Sequence, residues 1–277
     1  MSVEKVHFDK EKETMLMTLY GRAVQSHWPN PILRDPWAED AVQHIDYDFG
    51  KVDRMGGVFA PLIHDLGAKV VATRAATFDL LTRTFLKDHP DAVVLHPGCG
   101  MDSRVFRLDP PASVEWYDVD YPDVIDLRRQ LFPERDHCHL IGAPLDDLRW
   151  LDAVPGDHPV LLVAEGVLPY LSEPTVRALL NAVTQHFPSG QLAFDVEASW
   201  VMKRDKNVGD TGASYQWALD DPQDIHQLEP KLELVKEYRT TELVSFDRFP
   251  PLVRGMFRAM EPIKAVRRME RIVVYRF

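Results

Sequence analysis

Between Thr14 and His27 the apolar residues Met15, Leu16, Leu19 and Ala23 recur at helical spacing, which predicts an amphipathic helix over 14–27. The three prolines of WPNPILRDP break it, and Pro36 opens a second short helix over 36–46. Gly56 and Gly57 mark a loop, and a long helical pattern runs from Pro61 to Lys87. At Ala92 the period changes. AVVLH is a short apolar run, GCGMD follows at once, and SVEWYDVD is a second run. Then come a helix, VIDLRRQLF, and a short strand, HCHLIGA. HPVLLVAEG is the most apolar run of the chain and reads as a central parallel strand. Ser172 caps the next helix, Pro174 sits in its first turn, and GQLAFDVEA supplies a fifth strand. Five alternations of strand and helix predict a doubly wound parallel sheet. Beyond Trp200 the stretch KRDKNVGDTGASYQW is polar and glycine-bearing and reads as a mobile loop over 205–217. A short helix capped by Asp221 follows. KLELVKEYR and RRMERIVVYRF read as two closing strands, with a helix over 251–261 between them.

Composition narrows the class. Apolar residues make up 45% of the 277 positions, a globular value. No apolar run approaches the ~20 residues of a membrane span, and the charged N-terminus MSVEKVHFDKEKET lacks the core of a secretory signal. Two cysteines, Cys99 and Cys138, make neither a disulfide framework nor a zinc ligand set, so a reducing cytoplasm and no metal are expected. A net charge of −11 argues against a nucleic-acid partner, which requires a basic field.

The chemistry concentrates at strand ends. Gly98-Cys99-Gly100 directly follows a strand, where glycines let backbone approach a ligand. The second strand ends in Asp118-Val119-Asp120, and Asp120 stands 20 residues beyond Gly100, the spacing at which a carboxylate accepts both ribose hydroxyls. A dinucleotide site prefers a third small residue where Ser103 stands, so the shorter motif suits a cofactor without a pyrophosphate. Glu165 ends the most apolar strand, and a carboxylate there needs a cationic partner or water. The α-ammonium of S-adenosylmethionine would serve, and Arg74, on the preceding helix, would reach the cofactor carboxylate from the opposite side. Each residue also has a plainer reading: a tight turn for the glycines, a solvated acid for Asp120, a structural acid for Glu165, a surface cation for Arg74.

The stretches VVLHPGCGMDSRVFRL, YDVDYP and EGVLPYL, with TLYGRA, PILRDPWA, IDYDF and WALDDP around them, carry a resemblance. In order and spacing the chain resembles the leucine carboxyl methyltransferase family, above all its bacterial branch of polyketide O-methyltransferases. The resemblance implies an α/β fold. It has a Rossmann-like class I methyltransferase sheet, mostly parallel with the last strand antiparallel, and an N-terminal helical extension. It divides the chain into a helical cap, 1–60, and a methyltransferase domain, 61–277, with a loop and helix insertion at 198–230. In that family's terms Arg74 would hold the methionine carboxylate and Glu165 the methionine amine. Gly98 and Gly100 would pass beneath S-adenosylmethionine, Asp120 would bind its ribose, and Leu145 and Asp146 would meet its adenine. Arg22 falls near a basic position of the family's N-terminal segment. His96-Pro97 and Pro144 depart from the family pattern, and the departures leave the glycine and acid positions in place.

The implied acceptor is a small molecule. A carboxylate, with an ordinary pKa of about 4, is ionised at neutral pH and needs only a group to hold it, such as Arg22 or Tyr20. A phenol would profit from a base, and no histidine stands in an obvious motif at the site. Helix 14–27, marginal alone, is expected to roof the carboxyl edge of the sheet with Arg22 pointing inward. Three rivals remain: a nicotinamide-dependent oxidoreductase, a non-catalytic cofactor-binding protein, and an enzyme with a protein acceptor. The oligomeric state is not legible.

Overall fold

The structure, a computed structural model, describes residues 4–5, 11–50, 60–204 and 213–277. Seven strands form one sheet: β1 Val93–Pro97, β2 Glu115–Asp120, β3 Cys138–Gly142, β4 Val160–Ala164, β5 Gly190–Glu197, β6 Glu233–Arg239 and β7 Glu270–Arg276. Their order is β3-β2-β1-β4-β5-β7-β6. The first five pair in parallel, and β7 runs antiparallel between β5 and β6. This is the expected sheet with its antiparallel last strand. Every residue of β1 and of β4 is buried, which is why these runs are continuously apolar rather than alternating. From β1 the chain winds outward to β3, then returns to lay β4 on the other side. The crevice at the carboxyl ends of β1 and β4 is therefore the switch point where α/β sheets bind ligands.

The described helices are α1 Glu11–Ser26, α2 Pro36–His44, α3 Ala60–Asp88, α4 Arg104–Leu108, α5 Pro122–Leu131, α6 Glu173–His186, α7 Ser199–Arg204, α8 Pro251–Met260 and α9 Lys264–Arg267. On one face Phe78 and Phe85 of α3 pack with Val94, Trp116, Leu161 and Val163. On the other, Val176, Leu179, Leu180 and Val183 of α6 cover Leu95, Leu162 and Ala164. The stripe of α1 does not reach the sheet faces. Leu16, Leu19 and Ala23 pack with Met101, Val124, Leu127 and Phe132, on the loop after β1 and on α5, so α1 lies over the carboxyl edge.

Two caps are the ones the sequence announces: Ser172 accepts from Thr175 N at 3.3 Å and Asp221 from Gln223 N at 3.0 Å. The structure adds Asp35, which accepts from Ala38 N at 3.0 Å. Two differences matter. The second helix ends at His44 rather than 46, because Ile45 turns extended into the core and pairs with a two-residue strand, Glu4–Lys5. The helix after the glycine loop has only five residues, ended by Asp109 at φ 46° and two prolines, and offers little helix dipole to a ligand. Gly56, Gly57 and residues 205–212 of the expected loop lie outside the described residues. The described remainder of that loop is tied down: Gln216 N and Trp217 N donate to Pro169 O at 2.7 and 3.1 Å. Among the described residues no helix is long and apolar enough to cross a membrane.

Candidate functional site

The glycine loop is built by two left-handed residues. Gly98 has φ +64° and Gly100 φ +47°, which side chains other than glycine tolerate poorly. A Cβ at Gly98 would stand 2.4 Å from Val167, and one at Gly100 would stand 2.8 Å from Met15 Cγ of α1. The second glycine thus admits the cap helix as well as a ligand. Gly100 N donates to Asp120 Oδ2 at 2.7 Å, and Tyr121 N donates to Asp120 Oδ1 at 2.7 Å. Asp120 therefore clasps the loop while facing the crevice. Burial pushes its carboxyl above the usual range, against the pull of the two amides.

A cavity of about 1050 Å³ opens here, and Tyr20, Arg22, Arg74, Gly98, Gly100, Asp120, Leu145, Asp146 and Glu165 all line it. That volume exceeds the span of ordinary small-ligand pockets, roughly 300–1,000 Å³, and suits two ligands side by side. Leu145 is buried in its wall beside Asp146, just beyond β3. Arg74 and Glu165 do not face each other across the space. Arg74 Nε donates to Glu165 Oε1 at 3.0 Å, and Arg74 Nη1 meets Glu270 Oε1 at 2.9 Å and Asp195 Oδ2 at 3.3 Å. Arg104 Nη2 donates to Glu165 Oε2 at 2.5 Å. The cationic partners that Glu165 requires are two arginines of the chain itself.

Arg22 is 4% exposed. Its Nε donates to Asp35 Oδ2 at 3.1 Å and its Nη2 to Met101 O at 2.7 Å, which pins the cap to the glycine loop. Tyr20 stacks on Phe49 with ring centroids 5.1 Å apart. Behind Arg22 lies a buried ionic network that sequence reasoning missed. Arg107 joins Asp35, Asp79 and Asp102 at 2.7–3.0 Å. Its members are scattered over the cap, α3 and the glycine loop, and the available signal was two arginines inside the apolar pattern of RVFRL. His96 was also missed: it lines the cavity, with Nδ1 2.9 Å from Asp118 Oδ1.

The far wall is acidic. Glu197 stands directly opposite Glu270 in the β5–β7 ladder. Burial, then Glu270 and Asp195, push its carboxyl from 4.5 up to about 9, and burial pushes Asp195 up to about 6. A carboxyl raised in the folded state stabilises the fold below its unfolded pKa, and that contribution is lost as pH rises through the folded value. The melting temperature should therefore fall between pH 5 and 9. Glu197→Gln should flatten the fall and melt higher at pH 8, by roughly 2–4 °C for each 1 kcal/mol regained. Calorimetry at both pH values checks this, and an unchanged slope would place Glu197 in water.

Comparison with known proteins identifies the family. The model of the leucine carboxyl methyltransferase family matches residues 15–184, more than half of the chain. The tetracenomycin polyketide synthesis O-methyltransferase TcmP of Streptomyces glaucescens is 36% identical, over 99% of each chain. The S-adenosyl-L-methionine-dependent methyltransferase dpfgK of Gibberella zeae is 34% identical, over 83% of this chain and 82% of its own. A crystal structure from Thermobifida fusca, described as a methyltransferase candidate, shares the fold at TM-score 0.53 and 13% identity, over 94% of this chain and 93% of its own. The nicotinamide alternative finds no support among them. By sequence, the chain belongs to the leucine carboxyl methyltransferase family of S-adenosylmethionine-dependent enzymes.

Proposed function

We propose that this enzyme methylates a carboxylate oxygen of a small, polyketide-like metabolite. The observation that carries the reading is one cavity, roofed by α1, that gathers the nine residues named from the sequence. The relative from Streptomyces supports the acceptor class by its name. The chemistry of the lining fits S-adenosylmethionine. Asp120 supplies a carboxylate for two hydroxyls, Glu165 and Asp195 supply anions for an ammonium, and Leu145 supplies an apolar wall for adenine. Arg74 supplies a guanidinium for the cofactor carboxylate, and it packs against the backbone of Gly166, its Nη2 3.6 Å from where a Cβ there would stand.

When bound, the cofactor supplies a methyl group on a sulfonium, open to in-line displacement. The chain's own task is alignment and exclusion of water, which contribute roughly 7–11 kcal/mol in favourable cases. Arg22 and Tyr20 would hold the acceptor carboxylate, and Arg22 Nη1 carries no hydrogen bond among the described residues that would compete. No base is required for an acceptor already ionised. In this reading residues 1–60 are a cap on the domain 61–277, residues 213–216 of the insertion 198–230 line the remaining wall, and the reaction runs in the cytoplasm without metal or nucleic acid.

Titration calorimetry with S-adenosylhomocysteine in the presence of a chelator tests the cofactor half. Binding is expected. Neither heat nor a thermal shift at millimolar ligand would contradict it.

A further inference from the structure

Glu165 sits between two arginines of different character. Arg74 lines the cavity. Arg104 does not: it is 0% exposed and lies beneath the cavity wall. Its Nε donates to Asp79 Oδ1 at 2.9 Å, its Nη1 meets Asp102 Oδ2 at 3.0 Å, and its Nη2 donates to Glu165 Oε2 at 2.5 Å. The guanidinium also packs 5.5 Å from the Phe78 ring centroid. Asp79 belongs to α3 and Asp102 to the glycine loop, so the fork is fixed from two elements before it reaches the third. Burial alone would raise both aspartates. Arg107 and Arg104 hold Asp79 below the usual carboxylate range, and Arg104 and Arg107 hold Asp102 well below it. A planar guanidinium with all three nitrogens engaged has one orientation, whereas a lysine has a single nitrogen and cannot occupy three places.

We propose that Arg104 is a positioning residue of the donor site, which fixes the angle at which Glu165 meets the amine of the bound methyl donor. The inference rests on reading the cavity as the donor site. Arg104 touches no ligand. Of the cavity-lining carboxylates it holds, Asp102 and Glu165, Glu165 is the one that would meet the donor's amine. The effect of Arg104 on that contact is felt by ligands that carry an amino-acid tail. S-Adenosylhomocysteine has that tail, while 5′-methylthioadenosine keeps adenine, ribose and sulfur and lacks it. A residue that merely held the fold together would affect both ligands alike.

The test is calorimetric titration of both ligands into the parent protein, Arg104→Lys and Asp79→Asn. Arg104→Lys should weaken S-adenosylhomocysteine by at least about tenfold, the scale of one charge-assisted hydrogen bond. Binding of 5′-methylthioadenosine should stay within about threefold. Asp79→Asn keeps Arg104 and loosens its anchor, so it should give a smaller loss of the same selectivity, and it carries the test if Arg104→Lys fails to fold. Equal weakening of both ligands, or an unchanged ratio in every folded variant, would overturn the proposal. A parent protein that binds neither ligand would overturn the donor-site reading and this inference with it.

Discussion

Asp120→Ala should weaken binding of S-adenosylhomocysteine by at least about a hundredfold. A carboxylate accepting two ribose hydroxyls makes two charge-assisted bonds, each worth roughly 1.5–3 kcal/mol, and every 1.4 kcal/mol is tenfold in affinity. The structure adds a second route to the loss. Asp120 Oδ2 takes the amide of Gly100 at 2.7 Å, so its removal also frees the glycine loop from its left-handed turn. Asp120→Asn keeps an oxygen for one of those amides and should fall between the parent and the alanine variant. Asp120 belongs to neither hydrophobic cluster on the sheet faces, so the melting temperature should change by a few degrees at most. An unchanged dissociation constant would leave Asp120 a loop clasp and nothing more.

Arg22→Ala should lower turnover at least tenfold and cost stability at the same time. Removing one partner of a buried ion pair destabilises by roughly 3–5 kcal/mol. Here Asp35 retains Arg107 at 3.0 Å, so the loss should fall near the lower end of that range. Met101 O loses its donor, and α1 loses its tie to the glycine loop. Arg22→Lys keeps the charge and one bond and should recover stability more fully than turnover, because a lysine cannot serve Asp35, Met101 and an acceptor together. Steady-state kinetics beside thermal melts separates the effects. Full turnover in Arg22→Ala would move the acceptor carboxylate to another part of the wall.

What was legible from sequence follows one physical rule. Features set by residues close along the chain were visible: the glycine turn, its acid 20 positions on, the caps, and the runs that become β1 and β4. Their determinants are backbone conformation and burial period, and both are local. The ionic network was not visible, because Arg22, Asp35, Asp79, Asp102, Arg104 and Arg107 meet only after α1 and α3 have docked on the glycine loop. An arginine read alone is a surface residue by default, and the full burial of Arg104 depends on carboxylates from three other segments. The pairing of Arg74 with Glu165 was hidden likewise. Each was placed at the cofactor separately, and the 3.0 Å contact between them comes from the packing of α3 beneath β4.

The central claim, methyl transfer from S-adenosylmethionine to a carboxylate of a small molecule, is tested most directly by product analysis. The protein is incubated with methyl-labelled S-adenosylmethionine and a panel of aromatic and polycyclic carboxylic acids, alongside the matching phenols, and the products are resolved by mass spectrometry. The account predicts a labelled methyl ester from at least one acid, released by mild alkali as labelled methanol. Label found only as alkali-stable ethers of the phenols would contradict it.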